Sequence, residues 1–124
     1  MNGLFIFLGG GLGAFARYCL SSIMPKVTYL PEGTLAANFL GCFIATFVFT
    51  YLLYKSNLDS SYRAFIITGF CGGLSTLSAF SLELMEFIQA GEYLRAFVYT
   101  TTTIIVCVTS VILGLLLVKH SIKL

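Results

Sequence analysis

Four long apolar stretches, almost free of charge, dominate this chain and leave it few ways to fold. Gly3 to Met24 carries one charge, Arg17; Gly33 to Tyr54 and Ala96 to Val118 carry none; Ala64 to Ile88 holds acids only near its end. Each is long enough to cross a bilayer, which takes about 20 apolar residues. The 124 residues are 58% hydrophobic and only 10% charged, whereas a soluble domain has about a quarter of its residues charged. The chain is therefore expected to be a single integral-membrane domain over residues 1–124, with spans at about 3–24, 33–54, 64–88 and 96–118. Backbone in hydrocarbon must satisfy its own hydrogen bonds, and no ten-residue alternation of a membrane barrel is present, so the spans are predicted to be helices and the fold all-α. Pro25–Glu32, Lys55–Arg63 and Gln89–Arg95 are the predicted loops.

A net charge of +2, dispersed along the chain, forms no basic footprint and excludes nucleic acid as a partner. The only histidine, His120, lies in the tail, and no nucleophile–base pair or metal cluster is evident, which argues against an enzyme. The first span has no Lys or Arg before it and no convincing cleavage site, so it is expected to stay in the mature protein rather than leave as a signal peptide. Cys19, Cys42, Cys71 and Cys107 all fall inside spans without a C-x-x-C pair, and packing is their expected role.

With four spans both termini share a side. That side holds Lys55, Arg63, Lys119 and Lys123, against Lys26, Arg95 and the embedded Arg17 on the other. Orientation follows an excess of Lys and Arg, and a chain this balanced is free to insert either way up. Two oppositely inserted copies would form an antiparallel dimer in which each surface meets itself.

Several polar residues sit within the spans. Gly9, Gly10, Gly11, Gly13 and Ala14, like Ala37, Gly41 and Ala45, are of the small type that lets helices approach closely in lipid. Arg17 costs about 3 kcal/mol on insertion scales unless it meets a partner, meets water or snorkels to the surface. Thr34, Asn38 and Gly41 share one face of the second span, and the Asn38 amide can clamp a neighbouring helix or serve an anion. In the third span Gly72, Gly73, Ser75, Thr76 and Ser78 make a poor continuous helix. A break near Gly72–Thr76 would free carbonyls suited to a small hard cation. Glu83 and Glu86, close to the following loop, are expected to meet water. In the fourth span Tyr99, Thr103, Cys107, Ser110 and Gly114 line one face. A hydroxyl there either bonds its own helix or joins a track that replaces an anion's water shell.

Taken in order, Gly10-x-x-Gly13-Ala14-x-x-Arg17-Tyr18, Gly33-Thr34-Leu35-x-x-Asn38-x-x-Gly41 and Thr68-Gly69-Phe70-Cys71-Gly72-Gly73-x-Ser75-Thr76-x-Ser78-x-Phe80-Ser81-x-Glu83 resemble the motifs of the Fluc family of small fluoride channels, along the whole chain. The resemblance implies a multi-pass protein of the cell membrane (the inner one in a bacterium with two). It implies passive fluoride efflux through an antiparallel, dual-topology dimer of four-helix subunits, with two pores and a structural sodium ion at the dimer centre. It implies that Gly72 and Ser75 carbonyls bind that sodium, that Asn38 and Phe80 contact the fluoride path, that Thr34, Tyr99, Thr103 and Ser110 belong to it, and that Arg17 sits by the aqueous vestibule. The sequence departs from the pattern at Leu77, where the family usually carries a second pore Phe, at Ser75 and Ala79, where Thr is usual or common, and at Cys107, where a hydroxyl is expected. Some relatives pair non-identical subunits, so a heterodimer with a paralogue is an alternative to a homodimer. Two rivals differ in kind. A small drug–proton antiporter needs an acid deep in the first span, where this chain has only Arg17. A non-conducting subunit of a heterodimeric channel leaves Asn38, the glycine break and the hydroxyl stripe without a task.

Overall fold

The computed structural model describes residues 2–24, 29–55 and 59–122, and the regular structure among them is entirely helical. Helix α1 spans Asn2–Ile23 and α2 spans Glu32–Lys55. The third span is composite: α3 (Ser60–Arg63), a π-helical stretch (Ala64–Cys71), a single turn α4 (Gly72–Leu74) and α5 (Leu77–Gln89). Helix α6 spans Tyr93–Ile122. Four helical segments, Asn2–Ile23, Glu32–Lys55, Ser60–Gln89 and Tyr93–Ile122, are long and apolar enough to cross a membrane. The helices overrun most of the apolar limits read from the sequence, because backbone bonding continues into the polar flanks. Lys26 and Lys123, part of the charge count, lie outside the described residues, as do residues 25–28 and 56–58 of two predicted loops.

Close backbone contact holds the spans together. A Cβ added at Gly9 would collide with the Phe65 carbonyl, one at Gly13 with the Phe70 carbonyl and one at Gly73 with the Gly10 carbonyl. The small residues of α1 and of the third span thus face each other across a seam that has no room for a methyl group. In lipid, where apolar attraction between helices is weak, such contact supplies dispersion energy. A second seam joins α2 to α6, where a Cβ at Gly114 would stand 3.2 Å from both the Phe43 carbonyl oxygen and Thr46 Cβ.

The third span continues helically as far as Ser75, whose N–H donates to the Cys71 carbonyl at 3.0 Å. Ser75 and Thr76 then turn extended, with ψ of 148° and 121°. Helix α5 restarts with Thr76 as its cap: Thr76 Oγ1 accepts from the Ala79 N–H at 3.0 Å. At its far end Gly91, at φ +77°, closes α5 with paired bonds, Gly91 N–H to the Ile88 carbonyl and Glu92 N–H to the Phe87 carbonyl. Arg95 then stacks on the Tyr29 and Phe87 rings, pairs with Glu92 at 2.8 Å and donates to the Tyr29 carbonyl. This fixes the approach to α2 against the α5–α6 turn.

Candidate functional site

Asn38 and the break form the centre of the site. Asn38 Oδ1 accepts the Thr76 N–H at 2.6 Å, and Asn38 Nδ2 donates to the Thr76 carbonyl at 3.4 Å. One buried amide from α2 therefore holds both backbone groups of the residue at which the third span opens. Thr76 could not otherwise stand extended inside a membrane bundle, since its N–H would have no helical acceptor. Gly41, one turn further along α2, makes the approach possible: a Cβ there would stand 2.8 Å from Ser75 Cβ.

The same diversion releases carbonyls. In an unbroken helix the Gly72 carbonyl would receive the Thr76 N–H and the Ser75 carbonyl the Ala79 N–H. Those donors go instead to Asn38 Oδ1 and Thr76 Oγ1. Gly72 and Ser75 thus present carbonyl oxygens freed from the helical ladder, the hard uncharged donors that suit a sodium ion. Among the described residues no group of three or more His, Cys, Asp or Glu side chains could hold a metal ion. Gly73 is occupied differently: its carbonyl accepts from Arg17 Nε at 3.3 Å, which pairs the one charge of α1 with the broken segment.

A second group gathers at the α5–α6 end. Thr34 Oγ1 donates to Glu83 Oε1 at 2.6 Å. The Tyr99 hydroxyl lies beside the same two residues but makes no aligned hydrogen bond, although Tyr99 is 0% exposed. Phe80 packs on Tyr99 with ring centroids 5.0 Å apart, and Phe87 meets it edge-on at 5.7 Å. Thr34, Glu83 and Glu86 open onto a cavity of about 350 Å³, bounded also by Ser21, Glu32 and Arg95. Glu86 is exposed there, as expected, but Glu83 is half-buried and spends one oxygen on Thr34 rather than simply meeting water. Spacing along the chain gave no sign of this pair, whose partners are 49 residues apart.

Along α6 the hydroxyls serve their own helix. Thr103 donates to the Tyr99 carbonyl at 2.8 Å, and Ser110, fully buried, donates to the Cys107 carbonyl at 2.7 Å. Leu77, at the first turn of α5 directly after Thr76, is 76% exposed.

The sequence model of the family described as "CrcB-like protein, Camphor Resistance (CrcB)" matches residues 4–115. The chain belongs to the CrcB family. A Pyrococcus abyssi protein named fluoride-specific ion channel FluC is 42% identical over 117 residues, 94% of this chain and 95% of its own. A Thermococcus onnurineus protein of the same name is 38% identical over 123 residues, covering 97% of this chain and all of its own. A Nitrobacter hamburgensis protein named fluoride-specific ion channel FluC 2 is 34% identical over 122 residues, 97% of this chain and 98% of its own. The matches run through the Asn38-clamped break and both ends of the site, so the chain is a multi-pass membrane protein of this family along its length.

Proposed function

We propose that the chain is a fluoride-selective channel that lets fluoride leave the cell passively, built as a pair of oppositely oriented subunits. The observation that carries this reading is the end-to-end match to proteins named as fluoride-specific channels. The chemistry of the site supports it. Fluoride is small and strongly hydrated, so a path for it must offer dense hydrogen-bond donors, and uncharged donors let the ion leave again.

This chain has such donors at hand. Asn38 commits one Nδ2 hydrogen to Thr76 and keeps its second. The Tyr99 hydroxyl is buried without an aligned partner. Thr103 and Ser110 donate to carbonyls of α6, bonds worth about 1 kcal/mol net. Bonds to an ion are roughly twice as strong, so rotation of these hydroxyls toward a passing anion is favourable. The positive edge of the Phe80 ring adds weak attraction. Arg17, held on the Gly73 carbonyl, is the cation of the vestibule.

Leu77 projects from the single chain, and its exposure is consistent with a place against the second subunit. Gly72 and Ser75 are the residues that would hold the structural sodium ion. That ion would supply positive charge and a tie between the two broken spans. Helix α1 carries no acid to serve as an antiporter's proton carrier. Fluoride efflux from liposomes holding the purified, singly expressed chain tests the proposal. Fluoride-selective flux supports it, proton-coupled cation uptake replaces it with an antiporter, and silence assigns the chain to a heterodimer with a paralogue.

A further inference from the structure

We propose that a groove between α2, the third span and α6 holds an acyl chain of an anionic phospholipid, whose phosphate is bound by Arg63 and Lys119. The groove, of about 540 Å³, is walled by Ala45, Phe49 and Leu53 of α2, Ile67 of the third span, and Val111 and Leu115 of α6. All three walls belong to segments long and apolar enough to cross a membrane, so in a bilayer an acyl chain can reach it. On α2 the groove runs from Ala45 to Tyr54, which is about 14 Å at about 1.5 Å per residue. One leaflet supplies about half of a 30 Å hydrocarbon core. The groove therefore has the length of one leaflet's chains. Tyr54, half exposed at its outer end, is of the type that settles at headgroup level.

Cations border this groove. The Arg63 guanidinium lies over the Phe49 ring, 4.9 Å from its centroid. Arg95 bonds to Tyr29 while Gly114 packs on Phe43 and Thr46, so α6 and α2 run parallel. Lys119, one turn beyond Leu115 on the same face, therefore reaches the level at which Arg63 stands over Phe49. Lys55, at the end of α2, makes a third exposed cation. Among the described residues none of the three pairs with an acid, and the one salt bridge joins Arg95 to Glu92. Asp59, close by in sequence, accepts the Ser61 N–H as the cap of α3. Positive charge without an acid beside an apolar groove fits a ligand with an anionic head and an apolar tail. Arg63 offers a phosphate parallel N–H donors, and Lys119 offers it a point charge. A zwitterionic lipid carries the same phosphate but adds a cation that the basic groups repel, and a second copy of the chain brings apolar surface without a phosphate. The site does not depend on the channel reading above.

The test titrates the purified full chain in detergent with phosphatidylglycerol or with phosphatidylcholine of the same acyl chains, read by native mass spectrometry. Phosphatidylglycerol should bind on the order of tenfold more tightly. Arg63→Gln and Lys119→Gln, both at exposed positions, should each weaken it about fivefold, the effect of one basic residue at an anionic headgroup, and should change phosphatidylcholine little. Arg63→Lys, which keeps the charge without the fork, should lose less than Arg63→Gln. Val111→Trp, which fills the groove, should weaken both lipids. Gel filtration first shows that each variant assembles as the parent does. Leu53→benzoylphenylalanine, irradiated in phosphatidylglycerol vesicles, should give a lipid adduct. Equal affinity for the two lipids overturns the anionic ligand. A preference that survives in both Arg63→Gln and Lys119→Gln overturns the phosphate seat, and affinity untouched by Val111→Trp overturns the chain seat. Capture of a second copy of the chain at position 53, in place of lipid, assigns the groove to that copy and overturns the proposal.

Discussion

The amide of Asn38 is asked to hold the broken helix open and to face the permeating anion, and two substitutions separate these tasks. In Asn38→Ala the Thr76 N–H loses an acceptor at 2.6 Å and its carbonyl loses a donor at 3.4 Å. A buried backbone group left without a partner costs about 1 to 3 kcal/mol. The longer bond is near the limit of useful geometry and contributes less. The expected loss is therefore about 2 to 4 kcal/mol, concentrated on the N–H. In Asn38→Asp the carboxylate still accepts that N–H, so most of the clamp survives, but a negative charge now borders the anion's route. At about 4 Å and an effective dielectric of 20, two unit charges repel by about 4 kcal/mol. At 1.4 kcal/mol per tenfold, fluoride occupancy falls about a thousandfold. Fluoride-electrode recording of efflux from liposomes, with thermal unfolding and gel filtration of the same samples, reads both effects. Asn38→Asp should be assembled and silent, whereas Asn38→Ala should unfold earlier. An assembled Asn38→Asp that conducts at the unmodified rate would remove Asn38 from the path, and an Asn38→Ala as heat-stable as the parent would refute the clamp.

Further outcomes are expected elsewhere. A reporter fused after Leu124 should be found on both sides of the membrane, and a few lysines added to one loop should fix it on one; detection on a single side in the unmodified protein argues for a dedicated partner chain. Leu77→Phe should keep or raise fluoride flux, since a site open on one side avoids most of the 1 to 3 kcal/mol that overpacking typically costs, roughly speaking; Phe80→Ala should cut it sharply, and assembled Phe80→Ala with full flux would withdraw that ring from the pathway. Gly13→Ala should prevent stable packing of α1 because its methyl meets the Phe70 carbonyl, while Gly11→Ala, which meets nothing within 4 Å, should be neutral or stabilising by up to about 1 kcal/mol. Thermal unfolding in detergent distinguishes the two.

The spans were legible because helical membrane crossing is a local property: apolar length and absence of charge are enough to find it. The break was legible for the same reason, since a run of hydroxyl residues weakens a helix wherever it occurs; the adjacent glycines read with it, Gly72 and Gly73, stay helical in α4, and Gly73 serves the close packing against Gly10. Partnerships across helices were not. The face shared by Thr34 and Asn38 could be read from helical spacing, but whether Asn38 met a helix or an ion depended on how deep α2 sits against the third span. That depth is set by Gly41 against Ser75, a contact 34 positions apart in sequence. From the sequence, Glu83 is expected to meet water because it stands near a loop. Its bond to Thr34 exists only because α2 and α5 begin and end at the same level. The α6 hydroxyls are the opposite case, a purely local bond to the preceding turn, one of the two roles their positions in the sequence allow.

The π-helical stretch Ala64–Cys71 changes what kinds of mutation the third span can bear. Where it ends, the Gly72 N–H reaches back to the Ile67 carbonyl, five residues away, so this stretch holds more residue than an α-helix of the same length would. Deleting any one residue between 64 and 71 would let the chain relax to ordinary α-helical bonding without losing a hydrogen bond. Because an α-helix of the same length needs fewer residues, Ser75 and Thr76 would stay at their level opposite Asn38. A deletion inside α1 or α2, which hold no such surplus, would instead turn everything beyond it by about 100°, the angle of one residue in an α-helix. The π-helical stretch is thus the part of the bundle where the loss of a single codon is best absorbed, while the same loss elsewhere carries the site's side chains off their faces.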